Sequence, residues 1–219
     1  MTISSFVEDL SSLRLENVFN PYSERCEIYD YPASPRNRRN LLKNLLVAAS
    51  EVDVDSMWIG RDLGYRGGRR TGLALTDDVH LSDHAKRWDV DCRKFTKGTA
   101  VPERTAAVIW SAVRQISSPI FFWNVFPFHP FESGKPFSNR AHNSYERKIG
   151  EEILAEMISI VKPRRLIAIG NDAEKSARRL SDTLTHVKVR HPSYGGQNIF
   201  LGQIRSLYGI GEGPDYSYD

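Results

Sequence analysis

A carboxylate, an amide and an imidazole, each just beyond a short apolar run, are the side chains of this sequence best suited to chemistry. Asp62 lies in GRDLGYRGGRRTG (60–72), Asn124 in WNVFPFHP (123–130) and His191 in HPSYGGQN (191–198). A carboxylate can position water or stabilise a cation, an amide can read a planar hydrogen-bonding edge, and an imidazole can stabilise a developing anion. The first segment surrounds its one acid with five glycines and four arginines. Glycines let backbone approach a ligand closely, and arginines favour a polyanion.

The elements that must carry these residues alternate. Four apolar runs, VDSMWIG (54–60), PIFFWNVF (119–126), RRLIAIG (164–170) and HVKVR (186–190), read as buried strands. Helical patterns fall at 38–51, 102–116, 141–161 and 173–184, with Asn171 or Asp172 as the expected cap of the last. Such alternation predicts an α/β fold, a parallel sheet with helices on both faces. In open sheets of this kind a ligand lies beyond the carboxyl ends of the strands. Asp62, Asn124 and His191 all fall there.

Composition bounds the rest. The 219 residues, 40% of them hydrophobic, suit one compact domain spanning 1–219. No apolar run approaches the roughly 20 residues of a membrane span, and MTISSFVEDL lacks a signal-peptide pattern, so a cytoplasmic protein is expected. Two cysteines, Cys26 and Cys92, read as reduced structural thiols. The net charge of +3 is mild, but basic residues cluster at 36–39, 61–70, 162–165 and 178–190, as a phosphate-bearing partner requires or as solvated helix faces would show. The tail GIGEGPDYSYD reads as a frayed end.

GRDLGYRGGRRTG, WNVFPFHP, AIGNDA (168–173) and HPSYGGQN, in that order, resemble the successive motifs of the uracil-DNA glycosylase superfamily over roughly residues 54–200. The resemblance implies a three-layer α/β/α sandwich around a four-stranded parallel central sheet, and a glycosylase acting on DNA that contains a damaged or modified base. It implies catalytic roles for Asp62, which would position water and stabilise the sugar cation, and for His191, which would hydrogen-bond the leaving base. Asn124 would read the base edge. Arg66, Arg69 and Arg70 would meet phosphates, with solvated charges as the alternative for Arg69 and Arg70. Ser193 and Tyr194 would lie in the loop that enters the duplex, Tyr194 as wedge or as a plain surface aromatic. The SNR at 138–140 resembles a segment of branches that carry an iron-sulfur cluster on four cysteines; two cysteines exclude the cluster here, and no metal or other cofactor is expected.

Two departures bear on substrate. Gly64 stands where uracil-specific members place a tyrosine that blocks a pyrimidine 5-substituent, and Leu75 where many members stack a phenylalanine on the base. Tyr65, Phe126 or Phe128 is then left to supply the aromatic face. The resulting expectation is a monomeric, monofunctional glycosylase for uracil or a modified pyrimidine, in repair or, for a bulky hypermodified base of foreign DNA, in phage defence. A catalytically silent nucleic-acid-binding module and a nucleotide-binding enzyme are the alternatives. His80 and His84 have a zinc-like spacing with no completing ligands, so DDVHLSDHAKRWD (77–89) reads as a polar insertion over the cleft or DNA; His129 reads as a packing histidine. Gly60, Gly64, Gly67 and Gly68 do not keep dinucleotide-binding spacing. Asp62 could also be no more than a helix N-cap.

Overall fold

The computed structural model describes residues 2–180 and 184–211. In chain order its elements are α1 (Ile3–Ser12), β1 (Val18–Phe19), α2 (Ser34–Ser50), β2 (Ser56–Gly60), α3 (Gly68–Thr71), α4 (Leu81–Lys86), α5 (Arg104–Val113), β3 (Ile120–Asn124), β4 (His129–Pro130), α6 (Ser144–Val161), β5 (Arg165–Ile169), α7 (Asn171–Leu180), β6 (His186–Val189) and α8 (Gln197–Tyr208).

The four apolar runs form one parallel sheet in the order β3-β2-β5-β6, in a register that pairs Gly60 with Asn124, Ile59 with Ala168 and Ile169 with Val189. Every residue of β2 and β3 is buried, as continuous apolar strands covered on both faces require. Alternate side chains feed two separate cores. Met57, Ile59, Phe121, Trp123 and Leu166 pack with residues of α1, α2, α6 and α7, whereas Trp58, Phe122, Ile167, Ile169 and Val189 pack with α5 and α8. The period of two along each strand thus makes the three-layer α/β/α sandwich. A two-stranded antiparallel ribbon of β1 and β4 stands apart from the sheet.

Several boundaries differ from those read in the sequence. The first expected helix begins at Ser34, four residues early, with Pro35 in the first turn, where a missing N–H costs nothing. Among the described residues four helices are additional: α1, the short α3 and α4, and α8. A reciprocal Thr2/Ser5 cap starts α1, and α8 begins inside the HPSYGGQN motif, whose last residues are helical rather than loop. Neither Asn171 nor Asp172 caps α7: Glu174 N donates to Gly170 O (3.2 Å), so both lie within the first turn, where an acid complements the helix dipole. Residues 181–183 of that expected helix, and 212–219 of the expected frayed tail, lie outside the described residues.

The 77–89 insertion is a packed framework rather than a flap over a cleft. His80 stacks on Trp110 (5.7 Å) and bonds Asp77 Oδ1 (2.7 Å); His84 sits against Trp110 and Phe122 and bonds Thr76 Oγ1 (2.9 Å). Burial pushes the His84 pKa down to about 3, which keeps its ring neutral. Among the described residues no three His, Cys, Asp or Glu side chains gather as a metal site would need.

Candidate functional site

The carboxyl ends of β2, β3, β5 and β6 open into a cavity of about 500 Å³, and Asp62, Asn124 and His191 all line it. Its floor is apolar at Leu75 and Ile169, and Gly60 and Gly170 supply backbone. Leu75 holds a left-handed backbone (φ 55°), a costly conformation for a branched side chain that places it in the cavity wall.

Asp62 follows β2 by two residues, and its side chain is only 5% exposed. Oδ2 accepts from Arg61 Nε (2.6 Å), and Oδ1 bonds Nδ1 of His142, which comes from the segment before α6. Arg61 Nη1 also reaches Asp172 Oδ2 (3.5 Å) at the start of α7. Asp62 caps no helix: its oxygens are turned to these side chains, and the nearest helix, α3, is preceded by Gly67. A carboxylate so held can face a developing cation without swinging away.

Asn124, the last residue of β3, lies beside Gly60 in the sheet. A Cβ built on Gly60 would meet Asn124 Oδ1 at 2.4 Å, so glycine is what lets the amide lie across the end of β2. That amide oxygen is buried and has no hydrogen-bond partner. An orphaned buried acceptor costs about 1–3 kcal/mol, which a ligand N–H would relieve.

His191 lies at the end of β6. Gly170, in a left-handed turn (φ 89°), makes room for it: a Cβ there would be 3.3 Å from His191 Cβ. Its Nδ1 accepts from the Ser193 backbone N–H (3.1 Å) and lies 2.7 Å from Ser193 Oγ. Because that N–H can only donate, the proton of a neutral ring belongs on Nε2, which makes His191 a donor. Burial, with Arg61 and Arg190 nearby, lowers its pKa below the ordinary value and favours the neutral ring.

The remaining residues divide. Gly64, Leu75, Ser193 and Tyr194 line the cavity; Tyr194 is 97% exposed with φ 51° at its mouth. Tyr65 and Arg66 lie outside it and pair with each other, Arg66 Nε donating to Tyr65 Oη (2.9 Å). Three readings are corrected. Phe126 is fully buried in the core, edge-on to Phe128 (5.3 Å), and presents no face to the cavity. Arg69 and Arg70 are not phosphate ligands: both are buried. Arg69 donates to Tyr29 Oη (2.9 Å), lies 2.9 Å from His129 Nδ1 and covers the Phe19 ring (3.8 Å); Arg70 is paired with Asp78 (2.7 Å). A short helix, α3, turns their side chains inward, which composition does not reveal. His129 is a packing residue, buried between Arg69 and the Ser138 carbonyl.

Sequence reasoning missed His142, a single histidine two residues beyond the SNR segment in the polar stretch SNRAHN. It also missed Asn139, Arg140 and Glu103, which line the cavity.

No protein-family model matches the sequence, and no curated protein matches it. Solved structures do. The crystal structure of wild-type SMUG2 from Pedobacter heparinus is similar with a TM-score of 0.62 at 13% identity, covering 95% of this chain and 97% of that one. A point mutant of the UNG from Nitratifractor salsuginis is similar at a TM-score of 0.41 and 14% identity, over 77% of this chain and 78% of that one. The chain shares the fold of that SMUG2 structure, and its four-stranded parallel sheet between helical layers is the architecture the motifs implied.

Proposed function

We propose that the protein is a monofunctional DNA glycosylase that hydrolyses the N-glycosidic bond of a pyrimidine nucleotide drawn out of the DNA stack. The observation that carries this reading is the meeting of three groups in one cavity: a doubly held carboxylate, an amide with an unpartnered oxygen, and a neutral imidazole donor.

The chemistry follows from their positions. Asn124 pairs with an N–H and a C=O on one base edge. Leu75 and Ile169 cover the ring with apolar surface. As the bond from C1′ to the base nitrogen breaks, its electron pair goes to the base, and His191 Nε2–H stabilises the charge arriving on a base oxygen. The sugar becomes oxocarbenium-like, and the Asp62 carboxylate stabilises it. Water attacks C1′ and gives up one proton to solvent, and the departing base anion takes one up from solvent. The products are a free base and an abasic site, the entry to base excision repair. Water is the only co-reactant.

An enzyme acting on a base must first extrude it. The exposed Tyr194 at the cavity mouth is the side chain suited to fill the gap left in the duplex, and Arg61, Lys175 and Arg190, which line the same cavity, supply positive charge. The protein is taken to act as a monomer. No helix among the described residues is long and apolar enough to cross a membrane.

A specific observation favours a second reading of the substrate. A Cβ at Gly64 would meet nothing within 4 Å, so the wall carries open space where a pyrimidine 5-substituent would project. That room suits a base with a bulky 5-substituent, such as a hypermodified base of foreign DNA, and a defensive role.

The test is abasic-site formation, read by alkaline strand cleavage, on labelled oligonucleotides carrying uracil, 5-substituted uracils or 5-substituted cytosines in single and double strands. Release on at least one substrate, lost in Asp62→Ala, is expected. Salt-sensitive DNA binding with no release on any of them would point to the silent binding module.

A further inference from the structure

We propose that His142 is a positioning residue: its Nδ1–H holds Asp62 Oδ1, so that the carboxylate stays aimed into the cavity when Arg61 turns from Asp62 to a DNA phosphate. The inference rests on the glycosylase reading above and adds to it a residue outside every motif of the sequence.

The two partners of Asp62 differ in kind. The Arg61 side chain is 45% exposed, sits at the cavity mouth and is shared between Asp62 and Asp172. An exposed guanidinium at the mouth of a site for a polyanion is open to exchange, because phosphate offers it the same bidentate geometry as carboxylate. The His142 side chain is 8% exposed, and its ring lies against Phe126 (5.9 Å). It has no such freedom.

The segment that carries His142 is tied down on every side. Asn139 Oδ1 accepts from the backbone N–H of Tyr65 (3.0 Å), which joins this segment to the glycine-rich loop. Arg140 donates to both oxygens of Glu146 (2.7 and 2.6 Å) and to the Phe131 carbonyl (3.0 Å). Asn143 caps α6 reciprocally with Glu146, through bonds of 2.9 and 2.8 Å. The imidazole is therefore fixed by the start of an 18-residue helix. With it in place, one carboxylate oxygen is committed and the other is released when Arg61 leaves. Without it, both oxygens can swing onto the Arg61 fork, and the negative charge needed at the sugar is neutralised by a bidentate pair.

Hydrogen bonding to a carboxylate requires a proton on Nδ1, and this gives a readout independent of activity. Nitrogen-15 NMR of the full chain, with the His142 signals identified by their loss in His142→Asn, is expected to show Nδ1 protonated in the wild type and the proton shifted toward Nε2 in Asp62→Ala. Single-turnover base release at saturating DNA is expected to fall about 10- to 100-fold in His142→Ala with little change in Kd, the scale of misplacing a catalytic group by about 1 Å. His142→Asn, whose side-chain N–H replaces Nδ1–H without an aromatic ring, is expected to recover most of that loss. An Nε2–H tautomer in the wild type, a His142→Ala rate within twofold of wild type, or a His142→Asn rate as low as that of His142→Ala would each overturn the proposal. A wild type silent on every base removes the glycosylase premise and the positioning role with it; the tautomer then shows whether the His142–Asp62 contact itself exists.

Discussion

The segment from Gly60 to Gly72 is uniform in composition, yet it divides at Gly67 into two regions with opposite uses. Before it, Asp62 and Gly64 line the cavity, with Arg61 at its mouth and Arg66 exposed beside it. After it, Arg69, Arg70 and Thr71 are turned inward by α3 and bonded to Tyr29, His129, Asp78 and the Thr76 carbonyl. The first half leaves its charge at the cavity; the second turns its charge inside the fold, where it holds the loop that carries the first. Arginines three or four residues apart in sequence are thus a candidate ligand contact and a structural strut. Burial, not residue type, separates them.

Substitutions that strike one half and not the other test this division. The largest effect is expected from Arg70→Ala. Removing one partner of a buried ion pair leaves Asp78 uncompensated, which costs about 3–5 kcal/mol, measurable as a fall in the free energy of urea unfolding. A stable Arg70→Ala protein with weakened DNA binding would return Arg70 to the phosphate-binding half. Gly64→Tyr is expected to leave the fold intact, since its Cβ enters open space, and to turn the enzyme against 5-substituted pyrimidines relative to uracil. The expected shift in kcat/KM ratio is about 10- to 200-fold, the range for a group of methylene size. An unchanged ratio would place the substrate's 5-position elsewhere.

The framework half also carries a pH signature. Burial, reinforced by the Arg69 cation, pushes His129 down to about 4, and burial takes His84 to about 3. An unfolded chain takes up these protons near pH 6.5, so below that pH it binds more protons than the native state, and stability falls as pH drops from 6.5 toward 4. Each histidine contributes a slope of up to about 1.4 kcal/mol per pH unit in that window. Urea unfolding at pH 7, 6 and 5 is expected to show this decline, shallower in His84→Gln; a flat profile would contradict the burial of neutral rings. The smallest effect is expected from Arg66→Ala, which should leave the unfolding midpoint alone, weaken DNA binding evenly across sequences and lower the salt slope by about one.

The sheet was legible because each central strand is a continuous apolar run ending in glycine or a polar residue, a pattern that survives without tertiary information. The meeting of the strand-end residues was legible for the same reason: topology brings Gly60, Asn124, Gly170 and His191 to one cavity. Other features depend on contacts far apart in sequence. Nothing local marks Arg69 and Arg70 as buried, because their partners Tyr29, His129 and Asp78 come from three separate segments. Phe126 sits one residue beyond Val125 and two beyond the cavity-lining Asn124, and only the turn after β3 decides that it enters the core. His142 reaches Asp62 across 80 residues of sequence, from just beyond the SNR segment, and no local pattern pairs the two. The 77–89 insertion reads as a polar cover over the cleft or DNA because it is rich in charge, and its burial rests on a polar cluster that no period reveals.

The central claim is that Asp62 does the chemistry while Asn124 reads the base. It is tested most directly by single-turnover abasic-site release from one cleavable oligonucleotide, measured at saturating enzyme together with binding, for wild type, Asp62→Ala and Asn124→Ala. Asp62→Ala is expected to bind as wild type does and to release base about 10²- to 10³-fold more slowly, the loss typical of one removed electrostatic stabiliser. Asn124→Ala is expected to lose discrimination among bases. Base release by Asp62→Ala at the wild-type rate would contradict the account.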